Sequence, residues 1–395
     1  MPFKNLFFLF FFLNFSLNAQ SLDSLQKSTA DSIEKIDIRD FFKSKKQEHA
    51  PKKIQIGAIP AVGYTLQTGW AVSGIVNVSF NLGKSANQLP SIINGSINYT
   101  QYNQIIVPVQ ASIWTKDNSF NLITDFRYIK YPSLIYGLGE KVDPNLGIET
   151  DFSGLKFHQT VMKKVAPNLF TGLGYYFDTF WNIKASDSLS TATASELKNR
   201  LNTKELASGL AFKLIYDSRE NHVSATQGIY ANIVYRVNPQ FLGSDQSWES
   251  LILDLRKYVT FPRNSHNVLA FWNLYWLTTS KDSPPYLILP STGWDDSYNT
   301  GRGYIQGRFR GRNMFYFETE YRYQILKNDL LRGVVFYNLQ KFSGDLSSTF
   351  TTLKPGYGLG LRLKLNKITD TNVCLDYGFG QNGSRGFFIN VTEVF

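Results

Sequence analysis

From residue 53 to the C-terminal Phe395 the chain repeats one pattern: about ten residues of alternating character, then a break of Gly, Asn, Asp, Ser or Pro. A period of two puts successive side chains on opposite faces of an extended strand, so the pattern specifies β-structure. In 312–324, Phe315, Phe317, Tyr321 and Tyr323 fall on one face, and Glu318, Glu320, Arg322 and Gln324 on the other. A soluble sandwich buries its apolar face against a second sheet of finite area. Here nearly every strand carries a broad aromatic face, and aromatic residues make up 15% of the chain against 18% charged. That is too much apolar surface for a body wetted on all sides. Past the N-terminus no apolar run approaches the roughly 18 residues a transmembrane helix needs. Disorder and a coiled coil are excluded by the same composition. The fold class expected is all-β: a transmembrane antiparallel β-barrel with lipid outside and a polar lumen.

Strands are expected near 54–66, 70–81, 91–102, 105–115, 118–130, 153–164, 168–181, 207–217, 228–237, 248–261, 267–279, 312–326, 331–342, 356–366, 371–380 and 386–395, about sixteen in all. An even number returns both chain ends to one side of the membrane. With a periplasmic start, even-to-odd connections should be short and odd-to-even ones long. The breaks at 116–118, 166–168, 262–266, 327–330 and 367–370 are short, and those at 131–152, 182–206, 280–311 and 343–355 are long. The first two external loops are short, so the rule holds unevenly there.

Residues 1–19 read as a secretory signal peptide, with Lys4 ahead of a Phe-rich apolar segment and Leu17-Asn18-Ala19 as the cleavage context. Residues 20–53 are a short polar periplasmic tail or helix, in which Ile33, Ile36, Phe41 and Phe42 could line one side, and 54–395 are the barrel. The single Cys374 has no partner for a disulfide. Export to the bacterial outer membrane removes nucleic acid as a partner for the formal charge of +10.

The densest chemistry lies in 295–326. Its first half is Gly- and Arg-rich, with Arg302, Arg308, Arg310 and Arg312 among Gly301, Gly303, Gly307 and Gly311. Glycines let a loop bend tightly against a wall, and a guanidinium beside them can reach into a lumen and fork onto a carboxylate. Glu318, Glu320 and Asp376 are the inward acids available. The expectation is a long loop between the eleventh and twelfth strands, folded into the barrel and latched there. A solvated outer loop meeting lipid headgroups is the plainer alternative. At the C-terminus, Phe387, Ile389, Val391 and Phe395 are expected on one face of the last strand, with Phe395 closing the barrel and serving as an assembly signal.

Gly301-Arg302-Gly303-Tyr304, followed by Glu320-Tyr321-Arg322, resembles the loop motif and next strand of the BamA/TamA outer-membrane superfamily, also known as the bacterial surface antigen family. Tyr216-Asp217-Ser218-Arg219-Glu220-Asn221 with Gly228 and the strand 253–258 are similar to further segments of that family. The resemblance spans 207–395. It implies a latch at Arg302, Gly303 and Tyr304, and a part in inserting or translocating outer-membrane protein or lipid. Partners would be outer-membrane lipid, client membrane proteins or a periplasmic adaptor. Two departures accompany it. The tail before residue 54 is too short for a POTRA module, and Asn338 stands where an acidic residue often meets the loop arginine.

Catalytic signatures are poor. His49, His158, His222 and His266 are scattered and fit no metal or acid–base spacing, and no glycine pair precedes a helix. No enzyme activity, metal or cofactor is expected. A passive diffusion channel and a barrel-type hydrolase using His158 remain as alternative functions.

Overall fold

Each alternating run pairs antiparallel with its neighbour in the chain, as short turns between extended segments require. A computed structural model describes residues 35–41, 54–83, 88–139, 147–186, 201, 203–293, 298–344, 352–367 and 370–395. The signal segment and the rest of the tail lie outside the described residues. The strands are β1 (Ile54–Thr65), β2 (Gly69–Phe80), β3 (Ser91–Thr100), β4 (Ile105–Trp114), β5 (Phe120–Lys130), β6 (Ser133–Ile135), β7 (Ile148–Ala166), β8 (Leu169–Ala185) and β9 (Lys204–Asp217), followed by β10 (Gly228–Asn238), β11 (Trp248–Thr260), β12 (Val268–Thr278), β13 (Met314–Gln324), β14 (Leu331–Phe342), β15 (Lys354–Asn366), β16 (Thr371–Phe379) and β17 (Arg385–Val391). The short β6 continues the line of β5, and both pair with β7. The strands β7 and β8 run beyond the expected 153–164 and 168–181, because they stay paired to each other as far as Thr150 and Ala185.

Five of the turns on the side where β1 begins are tight, and each of these carries an Asn or Asp with positive φ. These are Asp117, Asn118, Asn168, Asn264, Asp329 and Asp370, at 65°, 55°, 61°, 67°, 64° and 58°. Short polar side chains tolerate this left-handed backbone better than other non-glycine residues.

The two faces of the wall are inverted relative to a soluble protein. Along β15, Tyr357, Leu359, Leu361 and Leu363 point outward and are exposed, Leu359 by 60%. Between them Gly356, Gly358, Gly360, Arg362 and Lys364 face inward and are buried. Lipid covers the first set, and the second surrounds the lumen.

Ladders join every consecutive pair along the chain from β1 to β17, with β5 and β6 sharing β7. Between β17 and β1 no ladder forms among the described residues, although the two lie side by side. A Cβ at Gly386 would collide with the Leu66 side chain. The first strand is poorly built to close the circle. Its Pro60 has no N–H to give, and residues 54–58 are exposed on both faces.

Beneath the barrel, residues 35–41 form a clasp. Of the tail positions expected to build a helix, only Ile36 and Phe41 fall among described residues, and the helical piece is one turn of 3-10 helix, Ile38–Phe41. Asp37 is fully buried, and its Oδ2 accepts the Lys367 amide at 2.9 Å. The Lys367 Nζ donates to Asp40 Oδ2 at 2.9 Å and to the Lys35 carbonyl at 3.0 Å. The Ile36 amide donates to the Asn328 carbonyl at 3.1 Å. The segment is thereby tied to the turns after β13 and β15.

Candidate functional site

The connection 279–313 between β12 and β13 enters the barrel, and we call it the inner loop. Near its start Tyr286 and Leu287 are buried against Ile148, Phe152 and Phe180 of β7 and β8. Farther on, Tyr304 and Phe309 join Trp272, Tyr316 and Phe342 in a second apolar cluster. Bending the chain between these contacts takes glycine. Gly301 and Gly303 have φ of 76° and 108°, and a Cβ at Gly303 would sit 2.6 Å from the Phe379 carbonyl oxygen.

That close approach brings Arg302 onto the inner wall with no exposed surface. Its Nη1 donates to Asp376 Oδ2 at 2.6 Å, and its Nη2 donates to both Glu318 and Glu320. The guanidinium lies over the Phe336 ring at 3.7 Å, and the Arg302 carbonyl accepts from Asn338 Nδ2 at 3.0 Å. The neighbouring residues add bonds of their own. The Tyr304 hydroxyl donates to the Pro355 carbonyl at 2.6 Å and accepts from the Gln381 amide at 2.9 Å. Ser384 Oγ donates to the Gly303 carbonyl at 2.7 Å, and the Gly301 amide donates to the Tyr316 hydroxyl.

All the acids singled out in the sequence thus meet one arginine; Arg302 spans them rather than forking onto Glu320 alone. Three of the seven charged groups of the cluster, Arg322, Arg362 and Glu393, were not assigned to it from the sequence. Arg322 Nε donates to Glu320 at 2.6 Å. Arg362 donates to Asp376 and, through Nε, to Glu393 at 2.7 Å. Asn372 Nδ2 donates to Glu393 at 2.8 Å, and Tyr316 donates its hydroxyl proton to Glu318. Three guanidiniums and four carboxylates are therefore held together, all buried. The row Gly356, Gly358 and Gly360 makes room. A Cβ at Gly356 would lie 2.6 Å from the Arg302 carbonyl, and one at Gly360 would strike Asp376. A signal for Arg362 was present, since a charge between Leu361 and Leu363 on a lipid-facing strand has to point inward.

Phe395 departs from its expected place. The last strand ends at Val391, and Thr392 turns the chain with a φ of 79°. The break reverses the alternation, so Glu393 and Phe395 enter the lumen rather than the outer face. The Phe395 ring lies 5.2 Å from that of Trp272 and 6.2 Å from that of Tyr258, and its carbonyl accepts from Arg322 at 2.9 Å. Buried ion pairs inside the lumen account for the reversal, because Glu393 would be stranded in lipid on the other face.

His158 sits across the lumen with its Nε2 on Asp178 at 3.0 Å and its ring stacked on Tyr176. Asp178 also accepts from Arg236 at 2.6 Å. The imidazole nitrogen a hydrolase would turn toward a serine is occupied by a carboxylate.

Comparison with known proteins agrees with this geometry. The Omp85 superfamily domain matches residues 14–379. The fold is similar to that of BamA from Haemophilus ducreyi lacking POTRA domains 1-3, with a TM-score of 0.55 at 15% identity, covering 87% of this chain and 69% of that one. It is also similar to CdiB from Escherichia coli, with a TM-score of 0.58 at 9% identity and 87% of this chain covered. This chain spans 63% of CdiB. No curated protein matches in sequence.

Proposed function

Because the chain belongs to the Omp85 superfamily and is a bacterial outer-membrane β-barrel, we propose that it takes part in inserting or translocating protein or lipid at that membrane. The observation that carries the reading is the missing ladder between β17 and β1 in a wall where every other neighbouring pair is laddered. Unpaired strand edges are templates for another strand, and an edge facing lipid carries unsatisfied N–H and C=O groups. Opening there costs less than elsewhere, since no ladder has to break among the described residues. The arginine cluster supports the same reading from the other side. It ties the inner loop to β13, β14, β15, β16 and the C-terminus, so one flank of the seam is rigid and movement falls to β1. Client membrane proteins, outer-membrane lipid and a periplasmic adaptor are the partners this role calls for.

The test is a lock. Cysteine pairs placed across β1 and β17, in a Cys374→Ser background, should crosslink incompletely, and oxidation should abolish assembly or export of outer-membrane cargo in cells. A control pair at Asn273 and Phe317, which are partners in the β12–β13 ladder, should crosslink fully without effect. Quantitative crosslinking at the seam with cargo handling intact would refute the role.

A passive channel is favoured by one observation, a luminal cavity of about 1020 Å³ beside the inner loop. Steady conductance in planar bilayers, unchanged by the seam lock, would support that reading instead.

A further inference from the structure

The lumen wall is chemically divided. Through β1 to β4, residues 54–114, the sequence holds one charged side chain, Lys84, which lies outside the described residues, between Phe80 and Ser91, where β2 ends and β3 begins. The inner face there sets amides and hydroxyls among apolar residues such as Ile92, Ile106 and Pro108. Asn77, Asn94 and Gln110 follow one another across β2, β3 and β4, and Asn94 and Gln110 are exposed to the lumen. Ser73 donates to Asn98 at 2.6 Å, and Asn98 donates to Ser96 at 2.9 Å. Each of these groups still has hydrogen-bonding capacity to spare.

The facing wall is charged but largely self-neutralised. Arg127 forks onto Asp125 at 2.7 and 2.8 Å, and Arg256 onto Asp254 at 2.9 and 2.8 Å. Arg236 reaches Asp178, as described above, across the small inward side chains of β9. Beside the lysines Lys156 and Lys213, the groups left over around the cavity are neutral. Trp248 Nε1 and Asn232 Oδ1, in residues 2% and 3% exposed, and Asn390 Nδ2 border the cavity without a hydrogen-bond partner among the described residues. Buried polar atoms are almost always paired, so an orphan at a cavity wall marks where a bound group supplies the bond.

We infer that the cavity of about 1020 Å³ between these walls is a binding site for a neutral, polyhydroxylated ligand, an oligosaccharide of a few sugar units. A simple anion would find the arginines already committed, and an apolar molecule would have to strip water from the amide face. A ring of hydroxyls can donate to and accept from Asn94, Gln110 and Asn232 at once. Lys213, whose side chain lines the same cavity, tolerates one acidic group on such a ligand. The site does not rest on the assembly role, although Thr65 of β1 and Asn390 and Val391 of β17 border both the cavity and the seam.

The full chain, folded in detergent, is titrated calorimetrically with maltotetraose, chitotetraose, a capped uncharged tetrapeptide and sodium phosphate. Saturable millimolar binding of a tetrasaccharide is expected, with peptide and phosphate silent. Gln110→Leu with Asn94→Leu should weaken it at least tenfold. Trp248→Phe, which keeps an aromatic ring and removes the indole donor, should weaken it severalfold with heat-modifiability retained. Peptide binding tighter than either sugar would overturn the inference in favour of a polypeptide path. Phosphate saturation alone, no saturable sugar heat, or sugar binding unchanged in the variants would each overturn it as well.

Discussion

Removing the Arg302 side chain isolates one charge in particular. In Arg302→Ala, Asp376 keeps Arg362 and Glu320 keeps Arg322 at 2.6 Å, but Glu318 is left with the Tyr316 hydroxyl alone. Arg302 and Glu318 are both fully buried, and breaking a buried pair by deleting one partner costs about 3–5 kcal/mol. At about 1.4 kcal/mol per decade this amounts to roughly two to nearly four orders of magnitude in loop opening. The readout is the labelling rate of a cysteine at position 300, a buried site on the inner loop, in a Thr300→Cys, Cys374→Ser background. Barrel integrity is followed by heat-modifiability, which the strand ladders should preserve. A second substitution sharpens the test. Arg302→Ala with Glu318→Gln removes the stranded charge and should label more slowly than Arg302→Ala alone, a coupling expected of groups in direct contact. Arg302→Lys should rescue little, because one ammonium cannot face Asp376 and the Glu318–Glu320 pair together. Labelling of Arg302→Ala within threefold of the parent would refute the reasoning and leave the loop held by Tyr304 and Ser384 instead.

Gly303→Ala should open the loop by a similar route, at about 1–3 kcal/mol, since its Cβ meets the Phe379 carbonyl at 2.6 Å; unchanged labelling at position 300 would count against the tight seating. Phe395→Ala should lower the heat-modification temperature by an amount equivalent to about 3 kcal/mol, as its ring is buried against Trp272 and Tyr258; a temperature equal to the parent's would place the ring elsewhere. Asp40 is held below its ordinary value of 3.8 by the Asp37 amide and by Lys367. A depressed carboxylate favours the clasp above its unfolded pKa and loses that advantage as pH falls through the folded one. Hydrogen-exchange protection of the Ile36 amide should therefore hold at neutral pH and drop below about pH 4, and Asp40→Asn should remove that pH dependence; the same profile in both proteins would exclude Asp40 as its source.

The barrel was legible because lipid reverses the usual burial pattern without disturbing its period. Alternation in β13 and β15 announces both strand and face, and Asn or Asp in the five tight turns marks where the strands leading into them end. The latch was partly legible, since Arg302, Glu318, Glu320 and Asp376 could be assigned to a loop and to inward faces. Their convergence on one guanidinium depends on how far the loop descends, which Gly303 and the glycines of β15 decide through backbone contacts absent from any local pattern. Phe395 was misplaced for a related reason. A period of two holds only while a strand continues, and the positive φ at Thr392 reverses every face after it. Tertiary demand, here a lumen acid for Arg362, set that turn.

The clasp beneath the barrel changes how a parted seam would come back together. Residues 35–41 are fixed to the turns after β13 and β15, and twelve residues of chain separate them from Ile54 at the start of β1. An opened first strand would therefore not diffuse away as a free end. Its return would be an intramolecular event, governed by an effective concentration that short tethers set at about millimolar. Lengthening the tether lowers that concentration only slowly, about as the −3/2 power of its length, whereas cutting the clasp by Asp37→Ala enlarges the volume β1 can explore at one step. Reclosure should slow in the second case far more than in the first, as measured by seam crosslinking after a pulse of opening. Equal reclosure rates in the two would mean that the tail takes no part in guiding the strand home.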